Sequence, residues 1–469
     1  MLSLEQLSLM VKKHLGLHSD QTQSSKWVVG ESSLGGRGLF VTEDVAAGEV
    51  LFVDHPLLKG PRSGTVVRRG CIVCGRIDSD TFTKCYKCAL LLCSEQCQNS
   101  DTHYSDCALI SRWDNIVPIE EVDDTIMSRA LTPIRALLLT EEQKQFMTTL
   151  KAHTLPQHGN EIRELKKYFV IPEEEVKLMC FACCVLDANA FQIATPYGKK
   201  EMSMRGLYPV AGLMNHNCIP NTRYSFNRES QMTVKAVKSI RAGTELFTCY
   251  SGTLWGTPSR RMYLYKTKHF LCKCDRCADP TERGTLLAAL KCFSLECTGS
   301  LLPIEPLKSS SPWKCLDCSM QVPSKNIATV QNALGSLMGS LDFQNVYELE
   351  NFLENRITNF IPKTNQIVID LILGSLLGTL DLDDQFKLES IILERLAIFV
   401  PYSNHIFVDL RLRVALKLGY AVGLKLTGII LFFVALKEEM IQKKKPAKCE
   451  TVSRTEGSYI HTHWTEDQT

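Results

Sequence analysis

The cysteines constrain this chain more than any other feature. Twenty occur in 469 residues, and seven of them fall between positions 71 and 107. An even spread would put about one or two there. They are arranged as Cys71-x2-Cys74, Cys85-x2-Cys88, Cys93-x3-Cys97 and a closing His103-x3-Cys107. One tight turn between two thiols aims both at a single ion, and two such pairs complete a tetrahedron. Eight ligands make two closed sites with no position open to a substrate, so these zincs are structural. A run of buried thiols without metal would not come in pairs closed by a His-x3-Cys. A segment this short cannot bury an adequate core, and metal binding itself supplies its folding free energy. A disulfide framework is the poorer reading. The opening MLSLEQLSLMVKKHLGLH has no unbroken apolar block and no small-residue cleavage site, so no secretory signal is read there. The nucleus and cytoplasm, the expected compartments, keep thiols reduced.

Two further clusters follow. Cys272, Cys274 and Cys277 lie in FLCKCDRC and need a fourth donor. Cys218, in NHNCIPN, is the obvious one, although it lies more than fifty residues upstream. Cys292-x4-Cys297 and Cys315-x2-Cys318 have the spacing of a zinc ribbon, with the Pro- and Ser-rich loop LLPIEPLKSSSP between its knuckles. Three zincs are therefore expected, and the ribbon adds a fourth. Cys180-x2-Cys183 sits in the apolar run KLMCFACCVLDANAF with no partner pair nearby, and reads as core thiols on a helix. Cys249 and Cys449 stand alone.

Composition excludes some function classes. Hydrophobic residues make up 45% and charged residues 22%, which permits real cores and rules out global disorder. Against 51 acidic residues stand 53 Lys and Arg. That balance argues against a broad basic face for nucleic acid. Residues 71–107 carry only Arg76, Lys84 and Lys87 as basic groups, so direct DNA binding is not expected. The most apolar run, residues 414–436, holds Lys417 and Lys425 and is not read as a membrane span. Near the start, Leu4, Leu7 and Val11 space like one face of a helix.

The chemistry lies between the cysteines. Residues 27–54 read as strand, glycine turn, strand, Ala-Gly turn, strand. Gly35, Gly36 and Gly38 allow positive φ and close approach to the backbone. No helix follows them, so neither a phosphate-binding loop nor a dinucleotide fingerprint fits. Asn215, His216 and Asn217 follow an apolar segment, and Pro220 stops any helix. If buried they need partners, which means a hydrogen-bonded turn or a ligand contact. Residues 231–252 alternate β-branched with charged residues, turn at Arg241-Ala-Gly243 and end a strand at Cys249-Tyr250. On local features alone Tyr250 is a core tyrosine.

Together, the glycine turn of residues 36–40, NHNCIPN at 215–221, TELFTCY at 244–250 and FLCKCDRC at 270–277 have the order of a SET domain. The finger that interrupts them resembles a MYND finger. Over about residues 26–320 the chain resembles the SET-and-MYND family of protein lysine methyltransferases. TLWGTPSRR, TKHFLCKCDRC and the ribbon look most like its arthropod branch. The resemblance implies an α+β fold: a SET β-fold of small twisted sheets with an inserted finger, a helical insert, a post-SET zinc site and an α-helical C-terminal domain. The implied divisions are a helical leader (1–25), the SET N-terminal part (26–66), the finger (71–107), the insert (108–200) and the SET C-terminal core (201–255). After these come the post-SET zinc site (256–280), the ribbon (281–325), the helical domain (326–445) and a disordered tail (446–469).

The resemblance also implies roles. Finger ligands would interleave, with Cys71, Cys74, Cys93 and Cys97 on one ion and Cys85, Cys88, His103 and Cys107 on the other; spacing alone leaves that partition open. S-adenosylmethionine would be cradled by Gly36, Arg37, Gly38, Leu39, Met214, Asn215 and His216, with Phe270 and Tyr250 beside it. NHNCIPN would cross the strand ending at Tyr250, the catalytic residue, like a knot. Asn189 and Phe191 are further contact candidates. Asn217 and Gly212 each stand where the family has Ser, and Lys268 stands where active members have a channel aromatic. The implied protein is a monomeric enzyme that methylates lysines of histones or other proteins, with a part in transcription regulation. The competing reading is a transcriptional adaptor whose finger docks a proline-containing peptide and whose SET fold is catalytically weak. In the last third, IVIDLILGSLLGTL and ESIILERLAIFV read as helix-bundle core. Lys443–Lys445 reads as a solvated tail, with a nuclear address as the alternative.

Overall fold

Alternation after Ser25 makes a hairpin. In the computed structural model, Trp27–Glu31 pairs antiparallel with Arg37–Val41, from Trp27↔Val41 to Glu31↔Arg37. Trp27, Val29, Leu39 and Val41 point into the core, as the two-residue period of a strand dictates. The turn between them uses Gly35 and Gly36 at φ of +93° and +79°, conformations that L side chains rarely adopt. Residues 3–17, 25–62, 69–77, 82–155, 157–193, 202–227, 229–342, 345–369 and 371 are described. All fall within one unit, Met1–Phe407.

Arg37–Val41 pairs on its other edge with Glu245–Thr248, antiparallel, with Leu39 opposite Leu246. Glu245–Thr248 in turn pairs parallel with Asn215–His216. One four-stranded sheet thus joins three of the distant motifs. Among the described residues, two three-stranded sheets lie beside it. One orders Leu58–Pro61, Met204–Leu207 and Phe191–Ile193; the other orders Thr222–Phe226, Met232–Ala236 and Val50–Asp54. A continuous apolar cluster holding Leu39, Phe52, Leu207, Met214, Val234 and Leu246 lies among them. The N-terminal helix, Leu4–His14, is started by a Ser3–Gln6 capping box and buries Leu7 and Val11 on that cluster, the face its spacing predicts.

The finger follows the first SET strands. Its short hairpin pairs Thr83–Lys84 with Leu91–Leu92, and two helices follow, Glu95–Gln98 and Asp101–Ile110. Four helices of the insert come next: Asp124–Ile134, Glu141–Thr149, Asn160–Leu165 and Glu173–Asn189. Arg135 fastens finger, insert and SET strand together. Its guanidinium grips the buried Asp106 carboxylate at 2.6 Å and the Lys59 carbonyl at 2.5 Å. Cys183 is buried and Cys180 half-buried on the last insert helix, inside the second apolar cluster.

Beyond the SET part, Leu290–Lys291, Ser300–Pro303, Trp313–Cys315 and Gln321–Val322 form the ribbon's sheet. Helices Ser324–Gly339 and Val346–Asn355 open the helical region expected there. The runs at 389–400 and 414–436, Lys443–Lys445 and the tail lie outside the described residues, as do Cys449 and most of the run at 367–380. Among the described residues no helix is long and apolar enough to cross a membrane.

Candidate active site

Among the described residues, four groups of metal-type side chains come together. They are Cys71, Cys74, Cys93 and Cys97; Cys85, Cys88, His103 and Cys107; Cys218, Cys272, Cys274 and Cys277; and Cys292, Cys297, Cys315 and Cys318. Within each, all donor atoms lie within 4.8 Å of one another. The finger's two sets interleave rather than follow in sequence. Sulfur pairs stand 3.5 Å apart for Cys74–Cys93, Cys218–Cys277 and Cys292–Cys318, 3.7 Å for Cys297–Cys315 and 3.9 Å for Cys85–Cys107. A tetrahedron with Zn–S bonds of about 2.3 Å has edges of about 3.8 Å, so the sets fit zinc. All these thiols are free. His103 stands in the first turn of a helix capped by Ser100, one turn before Cys107. Its Nδ1–H donates to the Gln98 carbonyl at 2.7 Å, which aims Nε2 at Cys88, 3.5 Å away. A ring anchored through its second nitrogen is the usual arrangement of a histidine ligand.

The other site is assembled by a crossing. Asn221 is buried, donates to the Glu245 carbonyl and accepts from the Phe247 amide, both at 2.7 Å. Thr222 donates to the Phe247 carbonyl at 2.8 Å. The Asn217 amide reaches the Thr248 carbonyl at 3.1 Å, and its side chain accepts from Ile219. NHNCIPN is therefore laced across the strand Glu245–Thr248 by the Asn217 backbone and the side chains of Asn221 and Thr222.

Glu245 belongs to the candidate site, although local pattern does not single it out. It is 7% exposed. Its carboxylate accepts from Asn215 Nδ2 at 2.7 Å and from Ser32 Oγ at 2.9 Å, and the same Nδ2 donates to the Arg37 carbonyl at 3.0 Å. The glycine turn and Asn215 are thus locked through one carboxylate. Gly38 lies under this lock. Its φ is not left-handed; what matters is room, because a Cβ there would stand 2.3 Å from Glu245 Oε1. Arg37 anchors the turn from the other side by donating to the Thr149 carbonyl.

Tyr250 stands two residues beyond the strand, which ends at Thr248 rather than at Cys249–Tyr250. Its backbone N–H turns to His216 Nδ1 at 2.9 Å, and its hydroxyl donates to the Met214 carbonyl at 2.5 Å. Burial pushes the phenol up, and the charge of Glu245 adds to the effect. Burial brings His216 down to about 4, with Cys274 opposing and Arg260 assisting. The imidazole is therefore neutral. Since Nδ1 accepts, the proton sits on Nε2, which faces Cys218 Sγ at 3.2 Å. The His216 ring lies 5.3 Å from that of Tyr250 and 5.9 Å from that of Phe270.

The neighbouring candidates are placed as follows. Asn189 donates to the carbonyls of Lys151 and Val185, so its amide ties down the segment after Thr149. Phe191 packs edge-on against Tyr208 and Tyr224. A Cβ on Gly212 would make only ordinary contact with Leu150. Lys268 lies with its ammonium 6.0 Å from the Tyr250 ring. It donates to the carbonyls of Ala188 at 2.7 Å and Asp187 at 3.3 Å. These are at the C-terminal end of an insert helix, where a cation is favoured.

A strand pair with a glycine turn, a laced Asn-His loop and a tyrosine beside a four-thiol cluster define a SET domain. The model of that domain matches residues 36–251. The SET domain-containing protein SmydA-8, isoform B, of Drosophila melanogaster is 32% identical over 374 residues, 77% of this chain and 82% of that protein. The histone-lysine N-methyltransferase SMYD3 of Mus musculus is 25% identical over 67% of this chain and 74% of its own length. The N-lysine methyltransferase SMYD2-A of Xenopus laevis is 28% identical over 52% and 58%. The chain belongs to the SET-and-MYND family of protein lysine methyltransferases.

Proposed function

We propose that the chain transfers a methyl group from S-adenosylmethionine to a lysine of a histone or another protein, with Tyr250 as the catalytic residue. The observation that carries this reading is the meeting of four distant stretches at one corner, where Tyr250 is bonded to Met214 and His216 beside the Asn215–Glu245 lock. The adaptor reading has no such observation in its favour.

The residues present fit the cofactor. The turn at Gly35 and Gly36 leaves open space where side chains would stand. Phe270 and the neutral His216 set no positive charge against a sulfonium, and the ammonium of Lys268 is held by helix-end carbonyls. When bound, S-adenosylmethionine supplies an electrophilic methyl group on a cationic sulfur. The acceptor lysine, with a free pKa of about 10.4, cannot attack until it loses its proton. Burial next to a cation disfavours its ammonium form and lowers that pKa. Tyr250 stays a neutral phenol because burial raises its pKa. Its hydrogen goes to the Met214 carbonyl, which leaves the oxygen lone pairs to hold the incoming amine in line. The residue therefore positions the nucleophile and does not act as a strong base. Tyr86 and Tyr104 are exposed on the finger, and we place the proline-containing peptide against such a ring, which can pack on pyrrolidine.

The test is radiolabelled methyl transfer to histone octamers and to a protein array. Tyr250→Phe is expected to bind S-adenosylmethionine normally in calorimetry while losing about a hundredfold or more of turnover. Turnover equal to the parent chain would refute the assignment.

A further inference from the structure

The four thiol clusters differ in their access to water. The finger's all-cysteine set and the ribbon each keep one exposed ligand, Cys74 and Cys318. In the third set Cys218, Cys272 and Cys277 are buried and Cys274 is half-buried. Four thiolates around one zinc make a dianion, and a dianion held away from water requires a countercharge against it.

Two arginines with no exposed surface provide it, Arg260 and Arg276, although Glu282, 2.6 Å from Arg260 and 3.8 Å from Arg276, answers one of their two charges. Arginines are almost never fully buried without partners. Arg260 points Nε–H at Cys218 Sγ, 3.2 Å away, and Nη2 at Cys277 Sγ, 3.6 Å away. Its other hydrogens reach Glu282 at 2.6 Å, Thr257 at 2.8 Å and the Trp255 carbonyl. Arg276 donates to the carbonyls of Cys218 at 3.3 Å and Thr253 at 2.9 Å. The Cys218 sulfur thus receives two N–H groups, one from Arg260 and one from His216. The far nitrogen of His216 takes the Tyr250 amide. A continuous hydrogen-bonded chain runs Glu282, Arg260, Cys218, His216, Tyr250. The same two arginines hold the carbonyls of Thr253 and Trp255, just after Tyr250.

We propose that Arg260 is a positioning residue: it is the charge partner of the zinc centre at Cys218, and through that sulfur and His216 it sets where Tyr250 stands. The link to zinc is independent of the enzymatic reading, whereas the link to turnover rests on it. A merely structural role, in which Arg260 serves only its ion pair with Glu282, makes a different prediction.

The experiment uses the full zinc-loaded chain and the variants Arg260→Met, Arg260→Lys and Glu282→Gln. Zinc content is measured by atomic emission, zinc release with a chromogenic chelator, and turnover by methyl transfer. In Arg260→Met one zinc equivalent is expected to leave about ten- to a hundredfold faster, the others being unchanged. kcat is expected to fall while KM for the protein substrate holds. Glu282→Gln frees the guanidinium for sulfur, so its release is expected to be no faster than in the parent chain. If Arg260→Met does not fold, Arg260→Lys decides, because an ammonium cannot bridge both sulfurs: faster release of one equivalent supports the proposal, and parent-like release overturns it. The proposal is also overturned if Arg260→Met keeps parent-like release, or if Glu282→Gln loses zinc as fast as Arg260→Met. Faster release with unchanged kcat overturns the Tyr250 link alone. A parent chain that transfers no methyl group would sink the enzymatic reading and leave the zinc result standing.

Discussion

Gly38→Ala should disable cofactor binding through a carboxylate far away in sequence. The new Cβ would lie 2.3 Å from Glu245 Oε1, 3.0 Å from its Cδ and 3.3 Å from Asn215 Nδ2. The carboxylate must retreat by about 1 Å to reach ordinary contact. That stretches its 2.7 Å bond to Asn215 beyond hydrogen-bonding range. Losing a hydrogen bond to a charged group costs about 1.5–3 kcal/mol, and the overpacking about 1–3 kcal/mol more. A stability loss of about 2.5–6 kcal/mol follows. If only the Asn215 bond is expressed in affinity, Kd for S-adenosylmethionine rises at least about tenfold. Denaturant unfolding and calorimetry measure the two effects. Glu245→Ala empties the space, so in that background Gly38→Ala should cost no more than about 1 kcal/mol, a coupling typical of residues in contact. Gly35→Ala is the control. Its φ is +93° with nothing within 4 Å of the Cβ, so it costs backbone strain of about 1–2 kcal/mol and should add independently of Glu245. An additive Gly38–Glu245 cycle, or unaltered binding in Gly38→Ala, would refute the reasoning.

Burial holds the Lys268 ammonium below the usual lysine range, with Asp187 opposing and Arg62 adding to the shift. Between that lowered value and 10.5 the unfolded chain keeps a proton that the folded chain has lost, so stability rises with pH across the window. Lys268→Met should remove this rise, so the variant's melting temperature falls relative to that of the parent chain from about pH 7 to pH 11; parallel curves would count against it. Arg135→Met strands the Asp106 carboxylate, which is 2% exposed, and should cost about 3–5 kcal/mol in unfolding. Adding Asp106→Asn should recover part of that loss, and no recovery would mean that the pair does not hold the finger to the insert.

The zinc sets were legible because an ion imposes its geometry on short spacings. Even Cys218 could be found, since three thiols in FLCKCDRC lacked a fourth. Interleaving of the finger sets was not legible from spacing, because every alternative partition also satisfies a tetrahedron. It follows from the Ser100-capped helix, which places His103 and Cys107 on adjoining turns beside Cys85 and Cys88. The hairpin at 27–41 showed in its alternation, but Gly38 did not show its reason: the atom it makes room for belongs to residue 245. Glu245 itself reads as an ordinary outward charge on an alternating strand. Its partners are Asn215 and Ser32, and no periodicity reports on a side chain that turns inward to meet residues that distant. The strand's end was misplaced for a related reason. After Thr248 the backbone amide of Tyr250 leaves the ladder for a histidine ring, a side-chain acceptor that strand propensity does not weigh. Arg260 and Arg276 are the extreme case. Charged residues near a cysteine motif are ordinarily solvated, and only the closing of Cys218 onto the other three thiols creates the buried negative charge that draws these two inside. What local pattern conveys is where a metal or a turn forces the chain; what it withholds is which distant polar group answers a charge once the chain has closed around it.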